Sequence, residues 1–243
     1  MRKKRYTVAC LSGDGIGPEV TAEASRALAV VSGMHGFQVD ELHVPFGGDA
    51  LRRFGHPLPS ITRAACAEAD AMLVAATREP ALEVLKAELD LRWRITRVCA
   101  RGSELAVVSP LPDDAVQLAV ERAFQLAFSR RARLTAVGTS AAWDTALAEA
   151  AEGWEGVLVE HSPFEAAVTG LLEDPSRFDV IASEQPFAEA LASTAAFAHK
   201  GTRMVASGRV GPDGKGMFGP THGSALEIAG QGVANPSAML LAA

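Results

Sequence analysis

The segment Gly219–Pro236, GPTHGSALEIAGQGVANP, sets one His, one Ser and one Glu among four glycines and two prolines. Glycine frees the backbone and lets main-chain amides come close to a ligand. The Gly223–Ser224 pair reads as the opening of a short helix over Ala225–Ala229, whose first N–H groups are free to meet an anion. On its own this is only a nucleotide-binding candidate. A second glycine-rich stretch, Leu11-Ser-Gly-Asp-Gly-Ile-Gly-Pro-Glu19, lies between a strand pattern and a helix pattern near the N-terminus. Charge gathers at Arg92, Arg94, Arg97 and Arg101. That run reads either as a strand region meeting an anion or as a solvated strand face.

The elements that must position these residues alternate along the chain. Tyr6–Leu11 reads as a strand and Pro18–Val31 as a helix with proline in its first turn. Phe37–Phe46 is the next strand, followed by helical stretches near Gly48–Phe54 and Ser60–Glu68. Ala71–Ala75 is a short buried strand and Pro80–Leu89 a helix. In Leu91–Cys99, apolar Leu91, Trp93 and Ile95 alternate with Arg92, Arg94 and Thr96, the pattern of a half-exposed strand. Leu105–Val108, Leu134–Val137, Val157–Val159, Val180–Ser183 and Met204–Ser207 are further strands, with helices between most of them. Strands alternating with helices predict an α/β sandwich with a largely parallel sheet.

Composition narrows the function. The 243 residues are 48% hydrophobic and 21% charged, which describes a globular chain able to bury a core. A net charge of −6 offers no footprint for nucleic acid, and Arg2-Lys3-Lys4-Arg5 reads as a solvated tail. No apolar run approaches the ~18 residues of a membrane span. Cys10, Cys66 and Cys99 form no CxxC motif. With no signal-peptide pattern, a reduced cytoplasmic setting is expected.

The two glycine-rich stretches together resemble the isocitrate/3-isopropylmalate dehydrogenase family, which carries a GDGIGPE turn near its N-terminus and an HGSA-x-(D/E)-IAG-x-G-x-ANP motif near its C-terminus. The likeness runs over nearly the whole chain and is weaker in the middle. Val44-Pro45-Phe46-Gly47-Gly48, Val159-Glu160-His161 and Asp174–Ile181 resemble further family segments. The resemblance implies an isopropylmalate-dehydrogenase-like α/β/α sandwich. It implies a nucleotide-side subdomain of residues 1–100 plus 201–243, and a substrate-side, dimerising subdomain of residues 101–200. The family's clasp arm is expected to be missing, since only Ser109–Asp114 separates Leu105–Val108 from the next helix. The helices that follow the family's ANP motif are also expected to be missing, which makes this a trimmed member.

The same resemblance assigns the chemistry. It places Ile16, His222, Gly223, Ser224, Ala225, Glu227, Ile228 and Asn235 at the dinucleotide. Glu227 meets the ribose hydroxyls, which favours NAD over NADP because a carboxylate repels a 2′-phosphate. Gly219 stands where a family Glu meets the nicotinamide end. Lys86, Arg94 and Arg97 are the substrate-side cations, and Ser109 replaces a third arginine. Glu189 and Glu165 stand at two of three metal-binding aspartates and Ser193 at the other, a set poorly suited to the tight octahedron of Mg²⁺ or Mn²⁺. Thr139 falls near the catalytic lysine. The tyrosine acid belongs to the absent arm, and Tyr6 is in the first strand.

Two functions follow. One is an NAD-binding member without the family's dehydrogenase activity, its only catalytic candidates being Glu165 and Glu189. The other is a divergent NAD-dependent oxidoreductase, or another enzyme, acting on a small hydroxy acid. A homodimer, or a subunit of a larger complex, is expected because the helix around Gln185–Ala198 matches a family dimer helix. Its Ala188, Ala190, Ala192 and Ala195 would admit a close partner, and trimming would leave apolar sheet surface in need of a cover.

Overall fold

The computed structural model describes residues 4–75, 80–100, 103–111, 113–198 and 204–243. Arg2, Lys3 and Arg101 lie outside them. The chain divides into two compact units, Met1–Asp90 with Asp213–Ala243, and Leu91–Pro212. In chain order the first unit begins with β1 (Arg5–Leu11), α1 (Gly17–His35), β2 (Gln38–His43), α2 (Gly47–Phe54), α3 (Ser60–Glu68), β3 (Ala71–Val74) and α4 (Pro80–Glu88). The second unit holds β4 (Trp93–Ala100), β5 (Ser103–Pro110), α5 (Val116–Phe128), β6 (Arg133–Val137), α6 (Ala141–Gly153) and β7 (Leu158–His161). It continues with α7 (Phe164–Glu173), β8 (Val180–Ser183), α8 (Phe187–Ala198) and β9 (Val205–Val210). The chain then returns to the first unit with β10 (Gly216–Pro220) and α9 (Ser237–Ala242).

In the first unit the strands run in the order β2-β1-β3-β10, all parallel. Ala9, Cys10 and Leu11 are consecutive and fully buried, the continuous apolar run of a strand covered on both faces. On one side Cys10 and Leu73 pack with Val20 and Ala24 of α1 and Met239 of α9. On the other, Ala9, Leu11, Met72 and Val74 pack with Cys66 of α3 and Ala81 and Leu85 of α4. The apolar pattern predicts that α1 ends at Val31. It runs to His35, where left-handed Gly36 (φ 75) caps it.

In the second unit the order is β9-β4-β5-β8-β6-β7. β4 runs antiparallel to both β5 and β9, and the other pairs are parallel. These two ladders bind β4 to the second unit. Val120, Phe124, Trp143 and Leu147 of α5 and α6 cover one face with Val108, Leu134 and Val180. Ala167, Leu171, Leu191 and Ala195 of α7 and α8 cover the other with Val98, Val107 and Ile181. Each unit is therefore an α/β/α sandwich, as the alternation of strands and helices predicts. β5 ends at Pro110 and a 3-10 turn over Asp113–Ala115 leads into α5, so no clasp arm follows this strand.

Three expectations are corrected. Residues 225–229 hold a single 3-10 turn, Leu226–Ile228, because Ala225 is left-handed (φ 42, ψ 56) and Ala229 is extended (φ −61, ψ 136), which leaves only the three residues between them for the turn. The small residues Ala188, Ala192 and Ala195 are buried against their own unit's sheet and offer no surface to a partner helix. The side of the first unit's sheet expected to be bare is covered, Val20 and Ala24 of α1 and Met239 of α9 packing on Cys10 and Leu73. Large exposed apolar side chains there include Val30, Val31 and Met34 on α1, Leu240 on α9, and Leu226 and Val233 in the loop before it.

Candidate functional site

The glycine-rich segments, about two hundred residues apart in sequence, meet in the first unit. The Ile16 N–H donates to Ser224 O at 2.9 Å. The Glu19 carboxylate accepts from the Gly230 N–H at 2.5 Å. Gly15 has φ +60, and a Cβ there would lie 1.9 Å from Ser224 O, so no other residue fits this approach. Asp14 turns the other way, both of its oxygens 3.0 Å from the Gly48 N–H in the first turn of α2. Ile16 itself is buried beside Val20 and Ala24. The turn between β1 and α1 thus fixes the position of the Gly219–Pro236 loop.

Along that loop, Gly223 and Glu227 are exposed and Ser224, Ala225 and Ile228 half-buried. His222 Nδ1 lies 3.0 Å from Gly223 O, and its Nε2 is buried with no partner among the described residues. If Nδ1 carries the proton, Nε2 is an open acceptor. Asn235 Oδ1 accepts from the Ser237 N–H at 2.9 Å, ahead of α9. Gly219 has a structural cause, since a Cβ on it would sit 2.0 Å from Val74 O on β3. That close approach leaves no room there for any side chain.

In the second unit, Arg94 Nη1 of β4 lies 2.5 Å from Glu189 Oε1 in the first turn of α8. Arg94 holds the Glu189 carboxyl below the usual range, first by hydrogen bonding and then by charge. Ser193, one turn further along α8, is exposed, as is Glu165 at the start of α7. The three positions thus hold a carboxylate paired with a guanidinium, a hydroxyl and an exposed carboxylate, whereas Mg²⁺ takes a near-ideal octahedron of oxygens.

At the remaining family positions the side chains or backbone have partners within the chain. The Thr139 N–H donates to Glu184 Oε2 at 2.6 Å, so a carboxylate faces the position of the implied lysine. Ser140 Oγ donates to the same carboxylate and caps α6 by accepting from the Trp143 N–H. Ser109 is buried and accepts from Gln185 Nε2 at 3.0 Å. Arg97 is three residues from Arg94 and so on the opposite face of the strand, where its Nε lies 2.7 Å from Glu104 Oε1. Arg92 pairs with Asp114 at 3.1 Å. Lys86, in the first unit, pairs with Glu83 at 2.6 Å. Among the described residues of the arginine run, Arg92, Arg94 and Arg97 therefore each make an ion pair. Tyr6 packs edge-on against Phe37.

Sequence reasoning missed Glu184, Glu19 and Asp14. Their roles rest on partners distant in sequence, which no local spacing reveals.

The family model for isocitrate/isopropylmalate dehydrogenase matches residues 7–96 and 95–243. The 3-isopropylmalate dehydrogenase of Synechococcus sp. (strain CC9605) is 33% identical over 300 residues, covering 98% of this chain and 84% of that protein. That of Salinibacter ruber is 32% identical over 297 residues, covering 99% of this chain and 81% of that protein. Both matches are longer than this chain, so both relatives carry inserted residues within the matched span. A β-decarboxylating dehydrogenase from Thermococcus kodakarensis superposes with a TM-score of 0.82 at 26% identity, covering 98% of this chain and 81% of that one. Isocitrate dehydrogenase from Methylococcus capsulatus shares the fold, with a TM-score of 0.79 at 22% identity over 98% of this chain and 83% of that one. With both motifs joined in one unit and the match running from residue 7 to 243, the chain belongs to the isocitrate/isopropylmalate dehydrogenase family.

Proposed function

We propose that this chain binds NAD through the Gly219–Pro236 loop and does not oxidise isocitrate or 3-isopropylmalate. The observation that carries this reading is the Arg94–Glu189 ion pair, which sets a cation of the same chain beside a carboxylate implied as a metal ligand. With Thr139 at the lysine position and no arm tyrosine, proton transfer lacks both its base and its acid. Each such group typically contributes about 10²–10⁴ in rate.

The loop supports the cofactor half of the proposal. His222 Nε2 is a buried acceptor without a partner, suited to a hydroxyl or an exocyclic amine. The exposed Glu227 carboxylate would accept from ribose hydroxyls and repel a 2′-phosphate. Asn235 would turn its amide N–H groups to the adenine, its Oδ1 being taken by Ser237. NAD, when bound, supplies a hydride acceptor. This chain's residues bind its adenosine end, and Gly219 brings no side chain to the nicotinamide end.

The buried Arg94 Nε, which has no partner among the described residues, favours a second reading. A guanidinium with an open N–H suits a substrate carboxylate, as in a divergent oxidoreductase acting on a small hydroxy acid. Calorimetry with NAD and NADP, followed by turnover assays with NAD, Mg²⁺ or Mn²⁺ and a panel of hydroxy acids, tests both readings. NAD is expected to bind at least tenfold more tightly than NADP, with neither isocitrate nor 3-isopropylmalate turned over. NADP binding more tightly overturns the role of Glu227. Turnover of either acid near the ~10 s⁻¹ enzyme median overturns the loss of dehydrogenase activity, and turnover of another hydroxy acid selects the second reading.

A further inference from the structure

The face of β1 and β2 that packs under α1 gathers three side chains that the dinucleotide site does not use. Cys10 on β1 is paired in register with His43 on β2, and Val8 with Glu41. Residues two apart on a strand share a face, so Glu41 and His43 flank the Cys10 thiol. Cys10 Sγ lies 3.8 Å from Glu41 Oε2, and His43 Nε2 lies 3.2 Å from the same oxygen. One ligand atom from each residue falls within 4.8 Å of both others. Ligands bound to zinc by sulfur, nitrogen and oxygen, at about 2.0–2.3 Å, stand about 3.3–3.7 Å apart in a tetrahedron. The sulfur–oxygen separation of 3.8 Å and the nitrogen–oxygen separation of 3.2 Å lie within about 0.1 Å of that range.

Burial completes the design. Cys10 is inaccessible, Glu41 is largely covered, and the exposed His43 ring leaves an open path to solvent. Ser25 of α1 donates to Glu41 Oε2 at 2.5 Å, the kind of outer contact that orients a ligating carboxylate. Hydrogen bonding alone uses the sulfur poorly, because thiols are weak donors and its other contact, Val8 O, is 3.9 Å away.

We propose that Cys10, Glu41 and His43 form a three-ligand site for a thiophilic divalent ion, Zn²⁺ or its probe Co²⁺, with the fourth corner open to water. Coordination replaces the thiol proton, which passes to solvent. A thiolate ligand sets this site apart from any that would take Mg²⁺ or Mn²⁺.

The test titrates the full chain, first stripped by a chelator, with Co²⁺ and then with Zn²⁺, following calorimetry and near-ultraviolet absorption. The expected result is one equivalent of Co²⁺ with a thiolate-to-cobalt charge-transfer band, displaced by Zn²⁺. Cys10→Ser abolishes the band. His43→Ala, at an exposed position that leaves folding intact, weakens binding at least tenfold, and Ser25→Ala weakens it about 10- to 100-fold. No stoichiometric band in the unmodified protein overturns the proposal. So does binding that His43→Ala leaves unchanged, which puts the ion elsewhere. Neither outcome bears on NAD, which is measured separately.

Discussion

Arg94–Glu189 and Arg130–Asp179 are both arginine–carboxylate pairs of the second unit, and burial makes them energetically unequal. The Glu189 side chain is 63% exposed, and exposed pairs are worth about 0–1 kcal/mol. The Asp179 side chain is 0% exposed and accepts from Arg130 Nε at 2.8 Å and the Arg131 N–H at 2.9 Å. Removing one charge of a buried pair typically costs about 3–5 kcal/mol, because its partner stays uncompensated. Urea unfolding of Glu189→Gln is therefore expected to fall within about 1 kcal/mol of the parent protein, and that of Asp179→Asn about 3 kcal/mol below it. Comparable losses for both would show that α8 depends on the Arg94 pair. Glu104 gives the same network a pH dependence. Burial raises its pKa, but Arg97 and Arg130 outweigh that and hold it below the ordinary 4.5. A depressed acid stabilises the fold above its unfolded pKa and loses that contribution as pH falls through the folded one. Thermal melts from pH 6 downward should show the protein losing stability from about pH 4.5, with Glu104→Gln less sensitive over the same window.

At the scale of elements, the β1–α1 turn and the C-terminal loop stand or fall together. Gly15→Ala puts a Cβ on Ser224 O and forces an L-residue to φ +60, a conformation costing about 1–2 kcal/mol before any clash. It should lower the melting temperature and weaken NAD, whereas Gly33→Ala, in open space on α1, should raise stability slightly by favouring helix. Equal effects from both would disconnect the turn from the loop. The two motifs were legible in the sequence because several of their glycines sit where backbone approaches backbone, Gly15 at Ser224 O, Gly17 at Ser12 O and Gly219 at Val74 O. The buried strands were legible because both faces are covered, so their apolar runs are continuous. β10 was not, since Gly216-Met-Phe-Gly-Pro220 has two glycines and a proline in five residues, a composition that argues against a strand. Its place comes from the ladder to β3. The pairing of the basic residues of β4 was not legible either, for a related reason. Composition counts its charges, but the strand's period sends Arg94 and Arg97 to opposite faces, where Glu189 and Glu104 neutralise them.

At the scale of the whole molecule, no helix among the described residues is long and apolar enough to cross a membrane. We expect a homodimer, formed through the outer face of α7 and α8. Ala188, Ala192 and Ala195 are spent on the unit's own core, and the surface they leave is set by Leu172, 54% exposed, and Phe197, 70% exposed. Ala190 and Ser193 lie between them in sequence, both exposed and small enough to let a second helix approach. A two-fold axis would bury the same patch on each chain, so one substitution removes two contacts. Light scattering at micromolar concentration should give twice the 25.4 kDa of one chain. Phe197→Asp should return it to one, with the circular dichroism of the folded protein unchanged. A parent protein already at 25.4 kDa would reject the dimer. A dimer that survives Phe197→Asp would move the interface elsewhere, with Val30, Val31 and Met34 on α1 the next apolar patch to substitute.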